Sequence, residues 1–165
     1  MSYPEPRYLG ETGEATAVVR PVDAPAELVY PNGTRCHYLV KGSATRGLFG
    51  LYRWELVAQG GGPGPHFHRT MTESFYVLTG AIQLYDGRAW REARAGDFMH
   101  VPEGGIHGFR NATDEPAALL IHFAPGGPRE AYFEGNARYA REGRGSDAEM
   151  AEFYLRHDNH WVTEG

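Results

Sequence analysis

Short alternating runs, cut by glycine and proline, constrain this chain more than any other feature. Over residues 48–57, Leu48, Gly50, Tyr52, Trp54 and Leu56 fall on one face and Arg53 and Glu55 on the other. That period of two predicts a half-buried strand. Gly60-Gly61-Gly62-Pro63-Gly64-Pro65 then breaks the chain sharply. Asn32-Gly33, a preferred pair for a tight hairpin turn, sits between strand-like runs at 27–31 and 34–40. Further runs follow at 74–78, 81–85, 98–101, 105–110 and 117–123, with Asp86-Gly87 turning the second of them back into Arg88-Ala89-Trp90. Many short strands joined by Gly/Pro turns imply an all-β sandwich or barrel. The 41% hydrophobic and 13% aromatic content argues against disorder despite 22 glycines and 11 prolines in 165 residues.

The pattern changes after Pro125-Gly126-Gly127-Pro128. Ala, Glu, Arg and spaced aromatics predict a short helix over 129–139. A second is expected over 147–157, where Ser146 and Glu149 form a capping-box pattern ahead of Met150, Phe153 and Tyr154. The expected organisation is an N-terminal arm at 1–16, a β-barrel at 17–127 and a helical tail at 128–165.

Net charge is −5, and Lys41 is the single lysine among 16 scattered basic residues. With no basic run to grip phosphates, nucleic acid is not an expected partner. No stretch approaches a membrane span and the start lacks the pattern of a signal peptide, so the expectation is a cytoplasmic protein without membrane contact. Cys36 stands alone and alternates with Tyr38 and Val40, which predicts a core thiol and no disulfide within the chain.

Five of eight histidines lie between His66 and His122. His66 and His68, two apart, share a face if that segment is a strand. Glu73 follows after a possible bend, and His107 lies far along the chain. Three imidazoles and one carboxylate suit a divalent first-row metal with positions left open.

The residues around these histidines resemble the two motifs of the cupin superfamily. Gly60, His66, His68, Glu73 and Gly80 match the first, and Gly96, Pro102, Gly104, His107 and Asn111 match the second. The resemblance covers residues 48–124 and implies a double-stranded β-helix of the jelly-roll type, with short C-terminal helices. It also implies that His66, His68, Glu73 and His107 ligate a metal: Fe, Mn, Ni, Cu or Zn. Gly80, Gly96 and Gly104 would provide positive φ or close approach at strand junctions. Pro102 would set the bend that aims His107, and Asn111 would close a turn through its side chain.

Within the cupins the chain is similar to small single-domain proteins of the quercetin dioxygenase-like group. This implies a metal-dependent oxidoreductase acting with O₂ on a small aromatic or enol-type substrate. Glu73 would be both ligand and proton acceptor. The group often carries acidic residues just before this glutamate, where this chain has Thr70-Met71-Thr72; the difference bears on the substrate entrance. The alternatives are a non-redox cyclase or isomerase of a polyketide or sugar-like compound, and a non-catalytic cupin that binds a metal or small ligand. Single cupin barrels often form homodimers by strand exchange, to which the arm could contribute. Candidate pocket residues are Tyr52, Trp54, Phe75 and Phe109, together with His100 and His122, each of which could instead satisfy a local hydrogen bond. His37, His157 and His160 are expected to be structural or exposed.

Overall fold

A computed structural model describes residues 2–162; the first residue of the arm and the last three of the tail lie outside it. In chain order the strands are β1 (Leu28–Val29), β2 (Arg35–Val40), β3 (Gly50–Leu56), β4 (His66–Phe67), β5 (Thr72–Thr79) and β6 (Ala81–Tyr85). β7 (Trp90–Arg94), β8 (Phe98–Val101), β9 (Gly108–Arg110) and β10 (Ala117–Ala124) follow. Helices α1 (Arg129–Glu142) and α2 (Asp147–Arg156) and the short β11 (His160–Trp161) close the chain.

All pairings are antiparallel. One sheet runs β1-β2-β3-β10-β5-β8, a second β7-β6-β9, and β4 pairs with β11. This is the double-stranded β-helix expected from the motifs. In β3, Gly50, Tyr52, Trp54 and Leu56 are buried and the residues between them half-buried, as the alternation predicts. β10 shows the same period, with Leu119, Ile121 and Phe123 inward. These residues, with Phe75, Val77, Ile82 and Cys36, form the core. Burial pushes the Cys36 thiol pKa up, which keeps it protonated.

The strand after Asp86-Gly87 starts at Trp90, later than expected. The Asp86 carboxylate accepts from the N–H groups of Arg88 and Ala89, which keeps those residues in the turn. At Gly80, φ is 71° and an added Cβ would stand 2.6 Å from the Pro116 carbonyl, so only glycine fits the sharp β5–β6 junction.

The capping box at the start of α2 is present: the Ser146 hydroxyl accepts from the Glu149 N–H, and the Glu149 carboxylate from the Ser146 N–H. α1 runs three residues beyond the expected 139 before Gly143, whose N–H bonds the Tyr139 carbonyl. Within α1, a Cβ on Gly135 would lie 2.5 Å from the Phe153 ring, so this glycine lets α2 approach closely. No helix among the described residues is long and apolar enough to cross a membrane.

Candidate metal centre

His66 and His107 face each other across a β-bridge. Each N–H donates to the other's carbonyl, at 2.9 and 2.8 Å, and their rings lie 4.3 Å apart. His68 follows on the same inward side, while Phe67 between them turns out to stack on His160. The Gly104 N–H donates to the His68 carbonyl at 2.7 Å, tying the second glycine-rich turn to the first histidine pair. Glu73 enters from β5, on the inward face shared with Phe75 and Val77. Asn111 closes the turn after β9: its amide donates to the carbonyls of Val57 and Glu115, and its oxygen accepts from the Thr113 N–H and hydroxyl.

The four side chains are buried, and their ligand atoms lie within 4.8 Å of one another. The Nδ1 of His66, His68 and His107 sit 2.8, 2.6 and 2.9 Å from the carbonyls of Gly64, Asp158 and Gly105. A carbonyl can only accept, so each Nδ1 carries the proton and each neutral ring presents a bare Nε2. Glu73 Oε2 lies 3.0 Å from Nε2 of His68 and 2.8 Å from Nε2 of His107. Two lone-pair atoms at that distance need a cation, a proton or a metal, between them. Imidazoles oriented through backbone carbonyls, beside a carboxylate, are the usual support of a divalent ion. These residues can hold a metal ion.

The electrostatics agree. Burial would raise the Glu73 pKa, but His107 and His68 outweigh it and hold the carboxyl well below the usual range. Burial pushes His107 down, yet Glu73's charge and hydrogen bond leave it raised. His66, without a carboxylate contact, is pushed down to about 3 by burial and by His107.

A cavity of about 260 Å³ opens from His66 and Glu73. Trp54 and Phe109 line it. Four other expected pocket residues do not. Tyr52 is core, its hydroxyl donating to Glu130, and Phe75 packs behind the site against His107 and Phe109. Of the two alternatives open for His100 and His122, the pleat places both on the outer face, aligned with Ser74 in one cross-strand row. The inward positions beside them belong to Val101, Glu73, Ile121 and Phe123. There His100 bonds the Ser74 hydroxyl and His122 packs on Phe49.

Sequence reasoning missed the cavity's other wall. Arg129, Tyr132, Phe133 and Asn136 line it from α1, joined by Tyr154, Trp161 and Tyr30, whose hydroxyl donates to the Phe133 carbonyl. Their spacing of i, i+3, i+4 and i+7 was a readable helical stripe, and an arginine within an aromatic stripe was its signal. The Arg129 guanidinium lies over Tyr132 and Phe123, at 4.3 and 4.8 Å from the ring centres. It donates to the His157 carbonyl and Asn159 Oδ1.

With the barrel and this quartet in view, comparison with known proteins is decisive about the domain. Residues 53–123 match the cupin domain family. They are a cupin domain. The chain is 31% identical over 87 residues to the polyketide synthase CurC of Streptomyces cyaneus, covering 52% of this chain and 54% of CurC. It is 36% identical over 45 residues to quercetin 2,3-dioxygenase of Bacillus subtilis, covering 27% of this chain and 13% of that protein. The polyketide cyclase RemF of Streptomyces resistomycificus superposes with a TM-score of 0.55 at 26% identity, over 66% of this chain and 78% of RemF. The chain spans between 13% and 60% of the length of the curated relatives it matches.

Proposed function

We propose that this cupin is a metal-dependent enzyme for a small, planar, enolisable substrate, and that its reaction is a non-redox cyclisation or isomerisation of a polyketide-type compound. The observation that carries this reading is the buried His66, His68, Glu73 and His107 quartet opening directly onto a cavity walled by Trp54, Phe109, Phe123, Tyr132 and Phe133. Flat aromatic walls select flat ligands by stacking and exclude bulk water. The likeness to the polyketide cyclase RemF supports the non-redox form over the oxygen-dependent one that the motif resemblance put first, and the likeness to the polyketide synthase CurC supports a polyketide-type compound.

A divalent ion bound by the quartet would supply Lewis acidity toward a carbonyl or enol oxygen. Glu73 stays ionised, and its second oxygen, Oε1, is the proton acceptor for an acidified C–H or O–H of the substrate. The aromatic walls hold the reacting carbons in one plane, and His66 and His107, locked through their backbone bridge, keep the quartet from shifting as the proton moves.

The test is turnover of poly-β-ketone and polyphenol panels by metal-loaded protein, with and without O₂, followed by mass spectrometry. Products isomeric with substrate, or smaller by one water, formed equally under nitrogen, are expected. The limited match to quercetin 2,3-dioxygenase favours a second reading, oxygenation of the same substrates. Its mark is O₂ uptake with oxygen gained in the product. Stoichiometric metal with tight ligand binding and no product would overturn both and leave a binding protein.

A further inference from the structure

Within the proposed reading of the cavity as a substrate site, we infer that Arg129 is the ligand's anion-binding residue, and that the ligand is an acceptor-rich enolate or phenolate. Arg129 is 3% exposed and lines the same cavity as Glu73. Among the described residues it has no carboxylate partner: its bonds go to a neutral carbonyl and a neutral amide, and its Nε–H has no acceptor. A buried cation without a counter-charge is costly unless something else supplies the charge. Glu73 and Asp158 favour its charge through space but make no hydrogen bond to it, and an ion bound at Glu73 would make the cavity more positive still.

Among the described residues, two others that line this cavity also hold buried polar atoms without a partner. Trp54 Nε1, like Arg129 Nε, can only donate, and Thr34 Oγ1 carries a hydroxyl hydrogen; all three are buried without a partner. Tyr30, by contrast, already spends its hydroxyl on the Phe133 carbonyl. Residues of the wall thus carry unmet donors, which acceptor oxygens of a ligand would complement, with a charged one at Arg129. A planar hydroxy-ketone or 1,3-dicarbonyl in its ionised form satisfies both demands between aromatic faces. A neutral hydrocarbon-like ligand satisfies neither.

The experiment uses zinc-loaded full-length protein and two probes: 1-hydroxy-2-acetonaphthone, which ionises, and its methyl ether, which does not. Wild type is expected to bind the first tighter and to show the absorption band of its anion below the pH at which it ionises in water. Arg129→Met should weaken the ionisable probe by about tenfold to a hundredfold, the worth of a charge-assisted hydrogen bond, and leave the ether nearly unchanged. Arg129→Lys keeps the charge and should restore the anion band. Because Arg129 also holds the His157–Asn159 segment, zinc content and thermal midpoint are measured on each variant. Equal weakening of both probes makes Arg129 a structural residue and overturns the inference. So does a wild type that shows no preference for the ionisable probe. Failure to take up zinc would instead strike the metal-enzyme reading itself.

Discussion

The Nδ1–H of His68 donates to the carbonyl of Asp158 at 2.6 Å, joining a metal-site imidazole to a residue 90 positions later. Asp158 is held in turn by its carboxylate, which accepts from the N–H groups of Arg69 and Thr70 and the Thr70 hydroxyl. Its backbone sits at φ 55°, a left-handed conformation that aspartate tolerates better than most residues. The segment after α2 is thus the outer support of the quartet.

Asp158→Ala should therefore lower metal affinity by about 10- to 100-fold, the range for lost outer-shell support, while far-UV circular dichroism is unchanged. Asp158→Asn, which keeps an acceptor oxygen, should fall between. Competition titration with a zinc chelator measures the order.

Replacing His66, His68 or His107 by Ala should abolish metal binding and largely spare the fold, since Val77, Ile82, Leu84, Leu119 and the rest of the apolar core are retained. Glu73→Gln should keep part of the metal and lose proportionally more turnover, because the amide cannot accept the proton. Metal analysis beside steady-state kinetics separates the two effects.

In metal-free protein, His66 gives a defined acid sensitivity. Its pKa is pushed down to about 3 from an ordinary 6.5, so between those values the unfolded chain binds a proton that the folded one refuses. Stability must fall as pH drops from 6.5 toward 3. Glu73 works at lower pH: its depressed pKa contributes stability above 4.5 that is lost as pH falls through the folded value. His107, being raised, has the opposite sign and contributes below 6.5, its share lost as pH rises. Melting curves with chelator present should show a shallower decline from pH 6.5 to 4.5 for His66→Gln than for wild type.

Gly80→Ala should cost more than about 1 kcal/mol, because the positive φ and the nearby Pro116 carbonyl both reject a Cβ. Gly13, in the exposed arm with nothing near it, should accept the same change with little effect. Thermal denaturation of the two variants measures the contrast.

Much of this molecule is local. The period of two across β3 and the Ser146–Glu149 capping box depend on residues a few positions apart and stand where the sequence predicts them, whereas the Asn32-Gly33 and Asp86-Gly87 turns are present within wider loops over 30–34 and 86–89. Motif spacing likewise marks His66, His68, Glu73 and His107, because strand pleat and glycine junctions convert spacing directly into direction. His100 and His122 show the limit. Their sequence neighbourhoods admit either face, and only the register that aligns both with Ser74 turns them outward. The cavity is less legible still. Arg129, Tyr132 and Phe133 belong to a helix whose stripe is readable but whose docking partner is not. Their place beside Glu73 is set by long-range contacts such as Tyr30 to Phe133 and β11 on β4. Sequence alone determined the barrel and its four-residue centre; tertiary packing alone decided what surrounds that centre, because chain-distant surfaces meet through shape and burial rather than through any local pattern.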